Sequence, residues 1–191
     1  MFLVEYKDPP DIFTNVVINK QECTFQYMSD DNITITEWVY PVVWHDDECD
    51  EISINFDETL PKLFKNSNFF KVSKNFLDVG QISYKYIPGD ILSFETRLPE
   101  LCCVLPPTEW GILDDTINIT VDETFNLTCD KLTYKYPITH KIKNFPKSLK
   151  IQSKFLKDLK SFTKIYLEED FPMCIETVKP NIRVYIAPCF E

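Results

Sequence analysis

The chain has 191 residues, with 30 Asp and Glu against 20 Lys and Arg, for a formal net charge of −10. Hydrophobic residues make up 44% and aromatics 14%, which excludes a disordered polyelectrolyte and allows roughly 70% of the unfolded surface to be buried. Glycine numbers only 3 (Gly80, Gly89 and Gly111) against an average of about 7% of residues, so the glycine-rich turns that carry phosphate in P-loop and Rossmann folds are disfavoured.

Thirteen prolines take over the punctuation and imply many short segments. The start, Met1-Phe-Leu-Val-Glu5, has no basic n-region. No window approaches the roughly 18 apolar residues of a spanning helix. The expectation is cytosolic synthesis.

Taken in order, Leu3 to Tyr6, Asn15 to Ile18 and Thr24 to Met28 read as short β-branched or aromatic strands. Ile33 and Ile35 alternate with Thr34 and Thr36. The apolar run from Val39 to Trp44 is broken by Pro41, which places it at an edge or a bulge. After an acidic loop, Ile52, Ile54 and Phe56 alternate with Ser53 and Asn55. Leu60 to Leu77 is mixed and predicts a short helix or an irregular connection. Ile82, Tyr84 and Tyr86 share one face against Ser83 and Lys85, and the alternation resumes at Leu92 and Phe94, predicting a hairpin across Pro88-Gly89.

Leu98 to Trp110 reads as a proline-punctuated connection. Ile117, Ile119 and Val121, then Phe125, Leu127 and Cys129, predict a second hairpin across Asp122 to Thr124, and Leu132, Tyr134 and Tyr136 add a strand. From Ser148 to Tyr166 the pattern is helical: Phe155, Leu159, Phe162 and Tyr166 step by four, three and four with Leu156 beside them, and Lys147, Lys150, Lys154, Lys157, Lys160 and Lys164 fall opposite. Ile182 to Ile186 closes the chain as a strand. The sequence therefore predicts a mainly β protein: one antiparallel β-sandwich or jelly-roll-like domain over 1–191, β-rich over 1–136, with a basic amphipathic helix over about 146–167 and a final strand at about 181–187.

Charge is unevenly placed. Lys131 to Lys164 holds ten basic residues and a single acid, Asp158, so it carries +9 and the remainder −19. Nucleic acid is an unlikely partner, because no arginine stands on the lysine face and the overall charge repels a polyanion. A membrane is also unlikely, since the aromatic face is needed for the core. A basic element with an acidic remainder is complementary to copies of itself, and a head-to-tail contact can propagate into shells or lattices.

No enzymatic signature emerges. The two histidines, His45 and His140, sit in no nucleophile motif. His45, Asp46, Asp47, Glu48, Cys49, Asp50 and Glu51 cluster potential ligands, but without the spacing of a known metal loop, so a solvated acidic loop is the better reading. No metal or cofactor is expected. Seven cysteines (Cys23, Cys49, Cys102, Cys103, Cys129, Cys174 and Cys189) leave at least one thiol free or bonded to another chain. The vicinal Cys102 and Cys103 point to opposite faces of an extended strand. Sequons begin at Asn32, Asn118 and Asn126.

The richness in Asn, Lys, Ile, Phe and Tyr resembles the composition of AT-rich genomes, those of some large DNA viruses among them. The expectation is a non-enzymatic structural protein of a viral capsid, virion or occlusion-type assembly, self-associating through Lys147, Lys150, Lys154, Lys157, Lys160 and Lys164 and the acids Asp46, Asp47, Glu48, Asp50 and Glu51. Its partners are itself or other structural proteins. The rival is a secreted, glycosylated β-sandwich that binds a host or cell-surface protein.

Overall fold

The structure is a computed structural model, and it describes residues 1–29, 34–47, 50–56, 61–65, 67–86, 98–106, 115–129, 132–139, 148–152, 163–168, 171–177 and 181–187. The mainly antiparallel β class read from the sequence holds. The chain divides into two compact units, Met1–Met28 with Thr36–Glu95, and Ser29–Ile35 with Thr96–Glu191. The sequence had shown no such boundary, because strands continue on both sides with the same alternation.

Unit 1 contains β1 (Phe2–Glu5), β2 (Asn15–Ile18), β3 (Glu22–Met28), most of β4 (Thr34–His45), β5 (Ile52–Asn55), the one-turn α1 (Pro61–Phe64), β6 (Phe69–Val72), β7 (Phe76–Val79) and β8 (Ile82–Lys85). One path of paired strands runs β8-β7-β6-β1-β4, while β2 lies between β3 and β5. Period-two alternation decides which face is buried: Phe2 and Val4, Phe70 and Val72, and Leu77 and Val79 all turn inward. They meet Phe13, Phe25, Phe56 and Phe64 in one aromatic core. Phe64 makes edge-on contacts with Tyr6, Phe13, Phe25, Phe56 and Phe70 at centroid distances of 5.7, 5.4, 5.2, 5.9 and 5.3 Å, the geometry aromatic quadrupoles favour.

The 60–77 stretch thus holds two strands that sequence reading missed, because the doublet Phe69-Phe70 masks the alternation. β7 returns to β8 through a two-residue turn in which Gly80 has φ +60°, a conformation open to glycine at little cost. The hairpin predicted across Pro88-Gly89 lies outside the described residues.

Unit 2 contains β9 (Leu101–Leu105), β10 (Thr116–Val121), β11 (Thr124–Cys129), β12 (Leu132–Pro137), β13 (Leu149–Gln152), β14 (Thr163–Tyr166), β15 (Met173–Thr177) and β16 (Ile182–Ile186). One sheet runs β12-β11-β10-β13, and the other strands run β16-β15-β14-β9. Between them lies a core of Cys102, Cys103, Leu105, Ile117, Ile119, Phe125, Leu127, Ile151, Ile165 and Ile175 with their neighbours. The predicted second hairpin and final strand are present as β10–β11 and β16. The predicted connection around Cys102 is instead strand β9, paired to β14.

The lysine helix needs correction at both ends. Leu149–Gln152 is a strand pairing with Thr116–Ile119, and Thr163–Tyr166 is a strand between Leu101–Leu105 and Cys174–Thr177. Leu149 and Ile151 alternate with Lys150 and Gln152, and Thr163 and Ile165 with Lys164 and Tyr166. A four-residue window satisfies both periods, and sheet pairing by β-branched residues decides between them. Lys154, Phe155, Lys157, Leu159, Lys160 and Phe162 lie outside the described residues.

Candidate functional site

Both units are net acidic: unit 1 holds fifteen of the 30 acids with seven of the 20 bases, and unit 2 the other fifteen acids with thirteen bases, ten of them in the stretch from Lys131 to Lys164. Of the acidic loop, Asp46, Asp47, Asp50 and Glu51 are described. Asp46 already has a partner: its Oδ2 accepts from the Met1 amino group at 2.8 Å, and the Asp47 carbonyl accepts from Lys20 Nζ at 2.7 Å. Glu48 and Cys49 lie outside the described residues, and among the described ones no three ligand side chains cluster for a metal.

Of the six lysines, Lys150 and Lys164 are described. Lys164 belongs to an ion cluster of its own unit rather than to an open lysine face. On the row Lys164–Glu176–Arg183 across β14, β15 and β16, the buried Glu176 takes Lys164 Nζ at 3.0 Å and the Tyr166 hydroxyl at 2.8 Å on Oε2, and Arg183 Nε at 3.2 Å on Oε1. Burial alone would raise the Glu176 pKa, but these three donors together hold it below the ordinary glutamate value. Burial raises the Tyr166 phenol, reinforced by its bond to the Glu176 carboxylate. The carboxylate and its three donors thereby satisfy one another. Sequence reading missed this cluster because the three donors lie 7 to 12 residues from Glu176 and meet it only through register.

Unit 1 has a comparable buried polar relay. Ser53 Oγ donates to Asn15 Oδ1 at 3.0 Å, Asn15 Nδ2 to Gln26 Oε1 at 2.8 Å, and Gln26 Nε2 to Glu37 Oε1 at 2.8 Å. A chain of this kind fixes strand register, since a slip by one residue would strand every member in the core.

The described cysteines, Cys23, Cys102, Cys103, Cys129 and Cys174, are buried and in no disulfide. Burial drives the Cys23 thiol up, while for Cys103 the hydrogen bond to Cys102 adds to burial, and both cysteines of the vicinal pair are fully buried. Cys189 lies outside the described residues, as does Asn32. Asn118 is exposed on β10. Asn126 is buried, and its Nδ2 lies within 3.2 to 3.5 Å of acceptors on Thr124, Thr120 and Asp122. A glycan on that nitrogen is incompatible with this turn.

What the fold leaves open is edge and apolar surface. Among the described residues β8 pairs with β7 alone and β12 with β11 alone. Ile82 on β8 is 47% exposed and Leu132 on β12 41%. Beside β8 a cleft of about 370 Å³ is lined by Leu3, Phe69, Lys71, Asp78, Ile82 and Ser83 among others. Phe69, Phe76 and Trp44 are also exposed in unit 1. An exposed strand edge is a template for pairing with another chain.

The architecture has a counterpart among solved structures. The chain is similar to PCNA from Thermococcus kodakaraensis, with a TM-score of 0.58 over 99% of this chain and 100% of that one, at 13% sequence identity. At that identity the likeness speaks for the fold alone. No family model matches the sequence, and no curated protein does.

Proposed function

We propose that this protein is a non-enzymatic structural subunit that works by associating with copies of itself through unlike surfaces. The observation that carries the reading is one strongly basic stretch, 131–164, in a chain whose remainder is strongly acidic in both units. Unlike patches on one chain make a heterologous contact, which closes into a ring or runs on as a filament or lattice. Like patches repel, which disfavours a symmetric pairing of unit 1 with unit 1. A viral capsid, virion or occlusion-type particle is the setting we favour for this assembly.

Size-exclusion chromatography with light scattering tests the proposal. The 22.5 kDa chain should give multiples of its mass at low ionic strength, with association weakening as salt shortens the screening length to about 3 Å at 1 M. A monomer at every concentration, indifferent to salt, overturns it.

A PCNA-type role is the second reading, favoured by the coverage of both chains from end to end. It is tested by asking whether the protein replaces PCNA in a PCNA-dependent assay.

A further inference from the structure

The cleft beside β8 lies on the outer face of the unit 1 sheet, and strand register explains both its shape and its charge. Phe2 and Val4, Phe70 and Val72, and Leu77 and Val79 turn to the core, so the outer face carries the cross-strand row Leu3, Lys71, Asp78 and Ser83. One step beyond the Phe70–Val79 pair, Phe69 stands opposite Gly80. Gly80 brings no side chain to the β7 side of the Phe69 ring. The ring is 47% exposed and walls a hollow of about 370 Å³.

This wall is fixed from below. Ser67 Oγ donates to the Phe69 carbonyl at 2.7 Å and accepts from the Phe69 N–H at 3.2 Å. A wall ordered in advance loses little freedom when a ligand binds. The hollow falls at the lower end of the roughly 300–1,000 Å³ of small-molecule sites, a size that suits one small molecule.

The charges in the cleft are opposite and unpaired. Lys71 and Asp78 are direct cross-strand neighbours, yet among the described residues neither side chain has an ion pair or a hydrogen bond, with the other or with a third group. In unit 2 the cross-strand pair Lys164 and Glu176 closes at 3.0 Å. The open pair instead presents an ammonium and a carboxylate from positions about 5 Å apart. A molecule that answers both must carry both charges close together. An α-amino acid holds its carboxylate and its ammonium on one carbon, whereas a peptide separates them by its length, and a simple anion or amine answers only one. The other walls, Phe69 and Leu3, are apolar, so the side chain that completes the fit is apolar as well.

We propose that this cleft binds a free α-amino acid with an apolar side chain. Its carboxylate accepts from Lys71 Nζ, its ammonium donates to the Asp78 carboxylate and to Ser83 Oγ, and its side chain lies on Phe69 in the space that Gly80 leaves open. The site lies within unit 1 and does not depend on self-association.

The test is an NMR titration of the full-length chain with L-phenylalanine, N-acetyl-L-phenylalanine and L-phenylalaninamide, which carry both charges, only the negative and only the positive. Saturable binding of L-phenylalanine is expected, with each single-charge derivative about tenfold weaker, the effect of one hydrogen bond to a charged group. Lys71→Gln should weaken L-phenylalanine and the N-acetyl derivative and spare the amide. Asp78→Asn should weaken L-phenylalanine and the amide and spare the N-acetyl derivative. Neither side chain has a partner to lose, and an unchanged urea midpoint shows that each variant keeps the fold. Equal binding of the three probes, an equal loss of all three in either variant, or no saturation by about 10 mM overturns the proposal.

Discussion

Replacing Glu176 with Gln isolates the charge of the buried cluster while preserving its shape. The carboxylate holds Arg183 at 3.2 Å and Lys164 at 3.0 Å, with side-chain exposures of 13% and 40% for the two cations. Removing one partner of a buried ion pair costs about 3–5 kcal/mol, because the other charge is left uncompensated. Lys164 is exposed enough to rehydrate and contributes little of that, and Gln still accepts the Tyr166 hydroxyl. The remaining loss, mostly at Arg183, is about 2 kcal/mol, or about 4–8 °C in Tm for a chain of this size. Calorimetry at pH 7, with urea unfolding at unchanged m, measures it. The pH dependence supplies a sharper check. A carboxylate whose folded pKa is depressed gives stability that is present above its unfolded pKa and lost as pH falls through the folded value. The gap between wild type and Glu176→Gln should therefore be full at neutral pH and vanish below the ordinary glutamate range of about 4.3. A gap that persists in acid, or no gap at pH 7, refutes the electrostatic account of this cluster.

Three other outcomes follow from the packing. Phe64→Ala removes the ring that touches five other aromatics in unit 1 and should cost about 3–5 kcal/mol, read as a lowered urea midpoint; a loss under about 1 kcal/mol would mean that the aromatic core is loosely packed. Native protein treated with iodoacetamide at pH 8 should remain unmodified at Cys23, Cys102, Cys103, Cys129 and Cys174, all buried, and become modified in urea, as peptide mass mapping would show. Asn126→Ala opens the β10–β11 turn by removing an amide bonded to Thr120, Thr124 and Asp122, and should cost about 1–2 kcal/mol by the same urea assay.

The strands of this fold were legible where alternation was clean and the flanking turns were polar. Asn15–Ile18, Ile52–Asn55 and the hairpin from Thr116 to Cys129 were read at close to their observed bounds. Illegible strands fail for identifiable reasons. Phe69-Phe70 and Cys102-Cys103 put two apolar residues side by side, and Met173–Thr177 is buried at every position, so no period is visible in it. Leu149–Gln152 and Thr163–Tyr166 carry lysines whose spacing fits a helix, and only their partners on β10, β9 and β15 decide otherwise. Of the candidate site, the charge split was fully legible because it needs only counting. The Glu176 cluster and the edge strands were not, because both depend on which strand lies beside which.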